Sequence, residues 1–251
     1  MSEFGDAARG GLSPAQLENV LRDVGAARYH NRHPFHHQMT SGALSKGQMQ
    51  AWALNRYSYQ SVIPRKDAAI IMRSDDPAFR AEWRKRIEDH DGGDGWSGGI
   101  ARWLKLATGL GLDADMVKSE KFVLPGTRFA VGAYLSYCTN RTMLESVASS
   151  LTELFSPIII GERVPAMLAK YDYITADILA YFDKRPALAS RDSDFALAYV
   201  MKHADNAEKQ QSVINALVFK CDVLWAMLDA LAHAYGEKGN IPPGAFVPEA
   251  A

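Results

Sequence analysis

Asn206-Ala207-Glu208-Lys209-Gln210-Gln211-Ser212-Val213-Ile214-Asn215-Ala216-Leu217-Val218-Phe219-Lys220-Cys221-Asp222-Val223-Leu224-Trp225-Ala226-Met227-Leu228-Asp229-Ala230-Leu231-Ala232-His233-Ala234-Tyr235 is the stretch that decides the fold class. It reads as one helix spanning about 45 Å at ~1.5 Å per residue. Gly236 and then Pro242-Pro243 close it. Val213, Leu217, Leu224, Met227 and Leu231 recur at roughly 3.5-residue steps, the spacing of a single helix face. That seam has one gap, and Lys220 fills it. A lysine in an apolar seam is costly unless it meets a charge. Snorkelling to the surface is the common alternative, but mid-helix, with apolar residues on both sides, it has little room. An anionic partner inside a pocket is therefore expected.

The rest of the chain follows the same period. Ser13, Pro14 and Gln16 make an N-cap, a first helical residue and a capping box, followed by Leu17, Val20, Leu21 and Val24 at helical spacing. Ser45 and Gln48 repeat that grammar for a helix to about Ile63, which Pro64 should kink or interrupt before Asp67–Arg73. Asp76-Pro77 opens a third helix, ending in the glycine-rich Gly92–Gly99. A short helix follows around Ile100–Ala107, then helices at about Arg128–Thr139 and Thr142–Phe155, the latter stopped by Pro157. Shorter ones are expected at Val164–Tyr171, Ala176–Arg185 (ended by Pro186) and Asp194–Lys202. No segment alternates convincingly with period two. The expectation is an all-α fold of about seven main helices in a single domain over residues 1–251. Its core covers about 12–236, with a frayed N-terminus at 1–11 and a Pro/Gly-rich tail at 237–251.

Composition bounds the function. The 251 residues carry 28 Lys plus Arg against 29 Asp plus Glu, so a dedicated nucleic-acid binder, which needs a basic excess, is disfavoured. Cys138 and Cys221 cannot build a disulfide framework and suit a reducing, cytoplasmic setting. No signal peptide is visible, and the richest apolar run, Val223–Ala234, is broken by Asp229 and His233, so no membrane association is expected.

Several short motifs fail on context. Gly93-x-Gly95-x-x-Gly98 lacks the preceding strand of a dinucleotide site and reads as a flexible loop. Gly95-Trp96-Ser97-Gly98-Gly99 lacks the sheet of a nucleophile elbow. Asp89-His90-Asp91-Gly92 lacks the required glycine and final acid of a calcium loop. His30, His33, His36 and His37 are dense, but no Cys, Asp or Glu stands at ligand spacing, so no metal is expected.

The informative polar residues lie on apolar faces. Phe79, Trp83 and Ile87 mark one face of the third helix, and His90 falls within about 20° of it, so it points inward. A satisfied core histidine and a functional one are equally compatible with that register. Arg56 and Gln60 stand at i, i+4 with Tyr59 beside them, and Tyr181 and Arg185 repeat the spacing. A solvated salt-bridge face is the usual meaning of such pairs. If Arg56, Arg163, Arg185 and Lys220 converge, they suit a small polycarboxylate.

Longer blocks carry a family resemblance. Tyr29-His30-Asn31-Arg32-His33-Pro34-Phe35, Asn55 to Asp67, Arg86-Ile87-Glu88-Asp89-His90-Asp91-Gly92, Ser149 to Phe155, Ala207-Glu208-Lys209-Gln210 and Phe219 to Trp225 resemble the pyrroloquinoline-quinone synthase family. The likeness covers about residues 12 to 235. It implies a haem-oxygenase-like, TenA-like helical bundle, usually a homodimer, and the last step of pyrroloquinoline quinone formation. That step is ring closure and eight-electron oxidation of a reduced bicyclic precursor by O2, with release of hydrogen peroxide and without metal or redox cofactor. The matching positions imply catalytic roles for His90, Tyr181, Arg185 and His30, the first three around the oxygen site. They imply a substrate pocket lined by Tyr29, His30, Arg56, Tyr59, Gln60, Tyr134, Glu153, Arg163 and Lys220. One position departs: the family often has a histidine three residues before Arg163, where this chain has Ile160.

Two other enzymatic or cofactor roles compete on the same fold. A thiaminase-II-like aminopyrimidine hydrolase would use Cys138 as nucleophile, and a haem protein would use His30 as ligand. From another class, a non-catalytic protein could sequester the finished quinone.

Overall fold

The computed structural model describes residues 3–249. In chain order its helices are α1 (Pro14–Arg28), α2 (Pro34–Ser41), α3 (Lys46–Met72), α4 (Pro77–Asp91), α5 (Gly99–Gly109), α6 (Ala114–Ser119), α7 (Pro125–Asn140), α8 (Met143–Ala148), α9 (Ser156–Lys170), α10 (Tyr181–His203) and α11 (Ala207–Tyr235). Two 3-10 turns, His30–Arg32 and Leu151–Phe155, complete the helical content. The fold is all-α, as the sequence predicts. The start signals act as read. Ser13 and Ser45 each accept from the backbone N–H three residues on, and Gln16 and Gln48 reach back to the cap. Asp76 caps α4 by accepting from Ala78 N–H, and Asn206 caps α11 by accepting from Lys209 N–H.

α3 is the axis of the molecule. Its buried residues, Ala51–Asn55, Tyr57–Gln60, Val62–Pro64, Lys66 and Asp67, leave no wide polar face. A helix buried nearly all round must be wrapped by others. α4, α5, α7 and α11 pack on it. This corrects the expected break at Pro64. The proline deletes one intrahelical bond, to the Gln60 carbonyl, yet α3 runs through it because packing on every side holds the helix. The same correction applies to Pro186, which lies inside α10. Pro157 is a first-turn residue of α9, where a missing N–H costs nothing, so it starts a helix where a stop was expected. The segments expected at Ala176–Arg185 and Asp194–Lys202 are therefore partly merged into one longer helix, and Val164–Tyr171 is the second half of α9.

The glycine-rich stretch after α4 is not an irregular loop. Gly92–Gly93 and Trp96–Ser97 pair as a minimal antiparallel hairpin. Gly92 has φ 86°, and a Cβ on Gly98 would stand 2.4 Å from the His90 carbonyl oxygen. Only glycine allows this close return of the chain, and it folds the hairpin back against the end of α4.

The chain ends also differ from expectation. Ala8 is buried; its N–H donates to Gln211 Oε1, and Leu12 N–H donates to Gln210 Oε1. Residues 3–11 are thus tied to α11 through two glutamines; residues 1 and 2 lie outside the described residues. In the tail, Phe246 N–H donates to the Phe122 carbonyl and Tyr235 Oη–H donates to the Phe246 carbonyl. The span Met143–Lys170 is long and apolar enough to cross a membrane by length and composition, but 56% of its apolar window is buried inside the protein. It is broken into α8, a 3-10 turn and α9, a core arrangement.

Candidate active site

One cavity of about 550 Å³ of empty space, partly open to solvent, gathers most of the residues singled out above. α3 contributes Arg56, Tyr59 and Gln60. The turn after α1 contributes Tyr29 and His30, and α4 contributes His90. The 3-10 turn before α9 contributes Glu153, α9 contributes Arg163, and α10 contributes Tyr181 and Arg185. Segments scattered over the chain thus meet at one place. Sequence reasoning did not assign Ile63, Thr152, Ser156, Ile159, Phe182 and Leu224 to the wall that they complete. These are ordinary core and turn residues, with no sequence signal to single them out. Ile160, the position that departs from the resemblance, also faces the cavity.

Tyr134 and Lys220 do not line it. They form a layer behind Tyr59. The Lys220 ammonium donates to Tyr59 Oη at 2.6 Å and lies 3.2 Å from the centre of the Tyr134 ring. Tyr59 and Tyr134 stack with planes 9° apart. The anionic partner expected for Lys220 is therefore replaced, among the described residues, by a hydroxyl and a ring face, the combination that a desolvated ammonium accepts in place of a carboxylate. Burial lowers the Lys220 pKa well below the ordinary lysine value, reinforced by Lys66 and Arg56.

The two ends of the cavity differ in charge. At one end Arg185 is paired with Glu153, and Glu153 also meets Arg86 Nη2 at 3.3 Å. Burial would raise the Glu153 pKa, but Arg185 and Arg86 outweigh it and hold the carboxyl at about 2. At the other end Arg56 and Arg163 have no carboxylate within ion-pair distance among the described residues. Arg56 lies 4.1 Å over the Tyr59 ring. Arg163 Nη2 donates to His36 Nδ1 at 3.2 Å and to His30 Nε2 at 3.5 Å. Burial and the neighbouring Arg56 bring Arg163 down to about 10, so it remains cationic at neutral pH. Arg163 Nε and His30 Nδ1 are buried without partners. Orphaned donors beside unpaired cations are the signature of a site built for an anion.

The histidines are set as neutral bases. His90 Nδ1 meets the Arg86 carbonyl at 2.9 Å, so it carries the proton and leaves Nε2 with a lone pair. Burial and the charge of Arg185 outweigh that bond and lower His90 to about 4. His30 is lowered well below its ordinary value by burial and Arg163. Tyr181 Oη–H donates to Gln60 Oε1 at 3.2 Å. The inward register of His90 is thus observed, and it serves a cavity.

Of the dense histidines, His30 and His36 meet on Arg163, while His33 and His37 go elsewhere. His33 accepts from Phe35 N–H and meets Asp229 at 2.9 Å, acting as the cap of α2. His36 takes Arg163, and His37 is exposed. Among the described residues no three His, Cys, Asp or Glu side chains are grouped to hold a metal ion. Cys138 is buried and is not among the residues that line the cavity, and burial raises its thiol pKa. His30 points its Nε2 at a guanidinium, a poor position for a haem ligand.

The chain is similar to known proteins in sequence and in fold. A sequence profile of the TENA/THI-4/PQQC family matches residues 19–230. A protein of Acidiphilium cryptum named pyrroloquinoline-quinone synthase is 62% identical over 235 residues, covering 94% of this chain and 96% of its own. Proteins of the same name from Granulibacter bethesdensis and Gluconobacter oxydans are 60% and 58% identical, covering 95% and 94% of this chain and 93% and 99% of theirs. Among solved structures, a domain of unknown function with a heme oxygenase-like fold from Shewanella denitrificans superposes with TM-score 0.76 at 14% identity, covering 94% of this chain and 99% of its own. A TenA homolog from Pseudomonas syringae gives 0.66 at 12% identity, covering 86% and 91%. The bundle has the heme oxygenase-like fold, and the chain belongs to the TENA/THI-4/PQQC family.

Proposed function

We propose that the chain is a pyrroloquinoline-quinone synthase, an oxidase that completes the quinone by ring closure and eight-electron oxidation of a reduced bicyclic precursor with O2. The observation that carries this reading is the asymmetric cavity: Arg56 and Arg163 without carboxylate partners at one end, and neutral His90 beside Arg185 and Tyr181 at the other. The first end suits the carboxylates of a small polyacid. The second suits proton transfer near a reduced oxygen species. The relatives of nearly full length carry the same name.

The protein's part is position, protons and charge. The electron-rich ring of the substrate supplies the electrons, and O2 accepts them and leaves as hydrogen peroxide. Arg56 and Arg163, with Tyr29, Tyr59 and Gln60, orient the substrate. His90 Nε2 takes a ring proton at an oxidation step and returns it to reduced oxygen, while Arg185 stabilises the developing negative charge. Tyr181, anchored on Gln60, relays protons beside it. His30, with Nε2 accepting from Arg163, presents its Nδ1–H to the substrate as a proton donor. No metal or redox cofactor enters this scheme. Glu153 lines the cavity and is the counter-ion of Arg185 there, and Tyr134 and Lys220 act from behind Tyr59.

We further take the working protein to be a cytoplasmic homodimer without nucleic-acid or membrane partners. Phe129, Met72 and Ile158 are exposed apolar side chains on α7, α3 and α9. The test is turnover: purified protein with the reduced precursor in air should produce the quinone spectrum and peroxide. A protein that binds the quinone but never converts the precursor would be a sequestering protein.

A further inference from the structure

Arg86 lies outside the cavity wall yet touches what holds it together. It is buried on α4, one turn before His90, and its guanidinium lies 4.7 Å over the Trp83 ring. Its Nη2 is 3.3 Å from Glu153, its Nη1 is 3.4 Å from Asp192 and its Nε is 3.6 Å from Asp67. Arg185 uses the same two carboxylates, pairing with Glu153 and standing 4.0 Å from Asp192. Arg86, Glu153, Arg185 and Asp192 therefore form a closed ring of alternating charge. The outer acids are held in turn: Asp192 by Arg191 at 2.6 Å, and Asp67 by Lys66 at 2.5 Å and Trp83 Nε1 at 2.8 Å. Arg86 is the one member in contact with all three acids.

We propose that Arg86 is a positioning residue for the oxidation: by holding the Glu153 carboxylate ionised and fixed, it keeps Arg185 at the cavity wall beside His90. The Arg86 Nε and Nη1 atoms make no well-directed hydrogen bond, so the hold is mainly ionic, and a change of charge matters more than a change of shape. With the cation removed, Asp67, Glu153 and Asp192 keep, among the described residues, Lys66, Arg185 and Arg191, of which Arg191 is shared with Asp89, while the neighbouring His90 is neutral. One carboxyl would then take up a proton in weakly acidic solution. Glu153, between two arginines, loses the second of them and keeps Arg185 as its one direct ion pair among the described residues. Once it is protonated, Arg185 has no fixed partner at the cavity.

The proposal rests on the synthase reading, and the experiment separates the two. Wild type, Arg86→Gln, Arg86→Lys and Asp192→Asn are compared for kcat on the reduced precursor from about pH 5 to pH 8, and for affinity toward the finished quinone. Arg86→Gln should lose about tenfold to a hundredfold in kcat, as expected when a catalytic group is misplaced, with quinone affinity little changed. It should also show a new fall in kcat on the acid side that wild type lacks. Arg86→Lys, which keeps the charge, should fall in between and show no new acid limb. Asp192→Asn removes an acid and leaves both arginines to Glu153, so it should show none either. Wild-type kcat and pH profile in folded Arg86→Gln would overturn the proposal, as would the same acid limb in all three variants. Should Arg86→Gln fail to fold, wild-type kcat in Arg86→Lys overturns it and an intermediate kcat at unchanged affinity supports it. Absence of turnover by the wild type would instead overturn the synthase reading.

Discussion

The Lys220 ammonium rests 3.2 Å from the centre of the Tyr134 ring and donates to Tyr59, so the one charge in the apolar seam of α11 reaches the cavity only through a tyrosine. Tyr59 in turn carries the Arg56 guanidinium on its ring. Replacing Lys220 by Met should therefore loosen Tyr59 and weaken binding of the quinone. Loss of a hydrogen bond from a charged donor corresponds to about 1.5–3 kcal/mol. A titration of wild type and Lys220→Met with pyrroloquinoline quinone measures this directly, and equal affinities would assign Lys220 to packing alone.

Binding and chemistry should separate at His90. Asn at this position can still donate to the Arg86 carbonyl, and the substrate-orienting arginines are at the other end of the cavity. His90→Asn should keep the fold and most of the quinone affinity but lose the base. Removal of one general acid–base typically costs about 10²–10⁴-fold in rate. Single-turnover spectra should show a partly oxidised intermediate accumulating. Wild-type turnover in this variant would make His90 a core histidine.

Much of this was legible in the sequence, and the failures have a common cause. Capping residues act locally, so the starts of α1, α3, α4 and α11 were readable from Ser13, Ser45, Asp76 and Asn206. Prolines were misleading because Pro64 and Pro186 lie in helices that tertiary packing supports, which local rules do not register. The inward register of His90 and the buried Lys220 followed from period alone. The partners did not. Glu153 takes Arg185 and Arg86 from two distant helices, and nothing near Glu153 in the chain announces either. The family resemblance supplied the pocket residues, but only geometry moved Tyr134 and Lys220 behind the wall.

Ile160 gives a sharper test of how the cavity is packed. It faces the cavity beside Ile159, and it is buried. Ile160→His would place an imidazole one turn before Arg163. If space and a partner exist, turnover should be retained or raised. A large fall in melting temperature with no gain in turnover would mean that the isoleucine belongs to a repacked apolar wall that the histidine leaves unsatisfied.

Acid should destabilise the protein through its histidines before its carboxylates. His90 and His36 are lowered to about 4 and about 3 by burial and nearby arginines, while the unfolded chain protonates near 6.5. A depressed folded value means stability is fully present above about 6.5 and is lost as pH falls toward those values. Glu153, at about 2, adds its loss as pH falls from the ordinary carboxylate range toward that value. The melting temperature should therefore fall already between about pH 6.5 and pH 5, and His36→Asn should flatten that slope. A flat melting profile in wild type over this interval would show that the histidines are not buried as neutral bases.

On the proposed reading, the cavity residues alone, with O2, complete the quinone. The direct measurement is the absorption spectrum of chelator-treated protein mixed with the reduced precursor, in air and under argon, with peroxide assayed in parallel. The expected result is growth of the quinone spectrum with peroxide in air, unaffected by chelation, and no growth under argon. Conversion under argon, loss of conversion on chelation, or a precursor that stays unchanged in air would contradict the account.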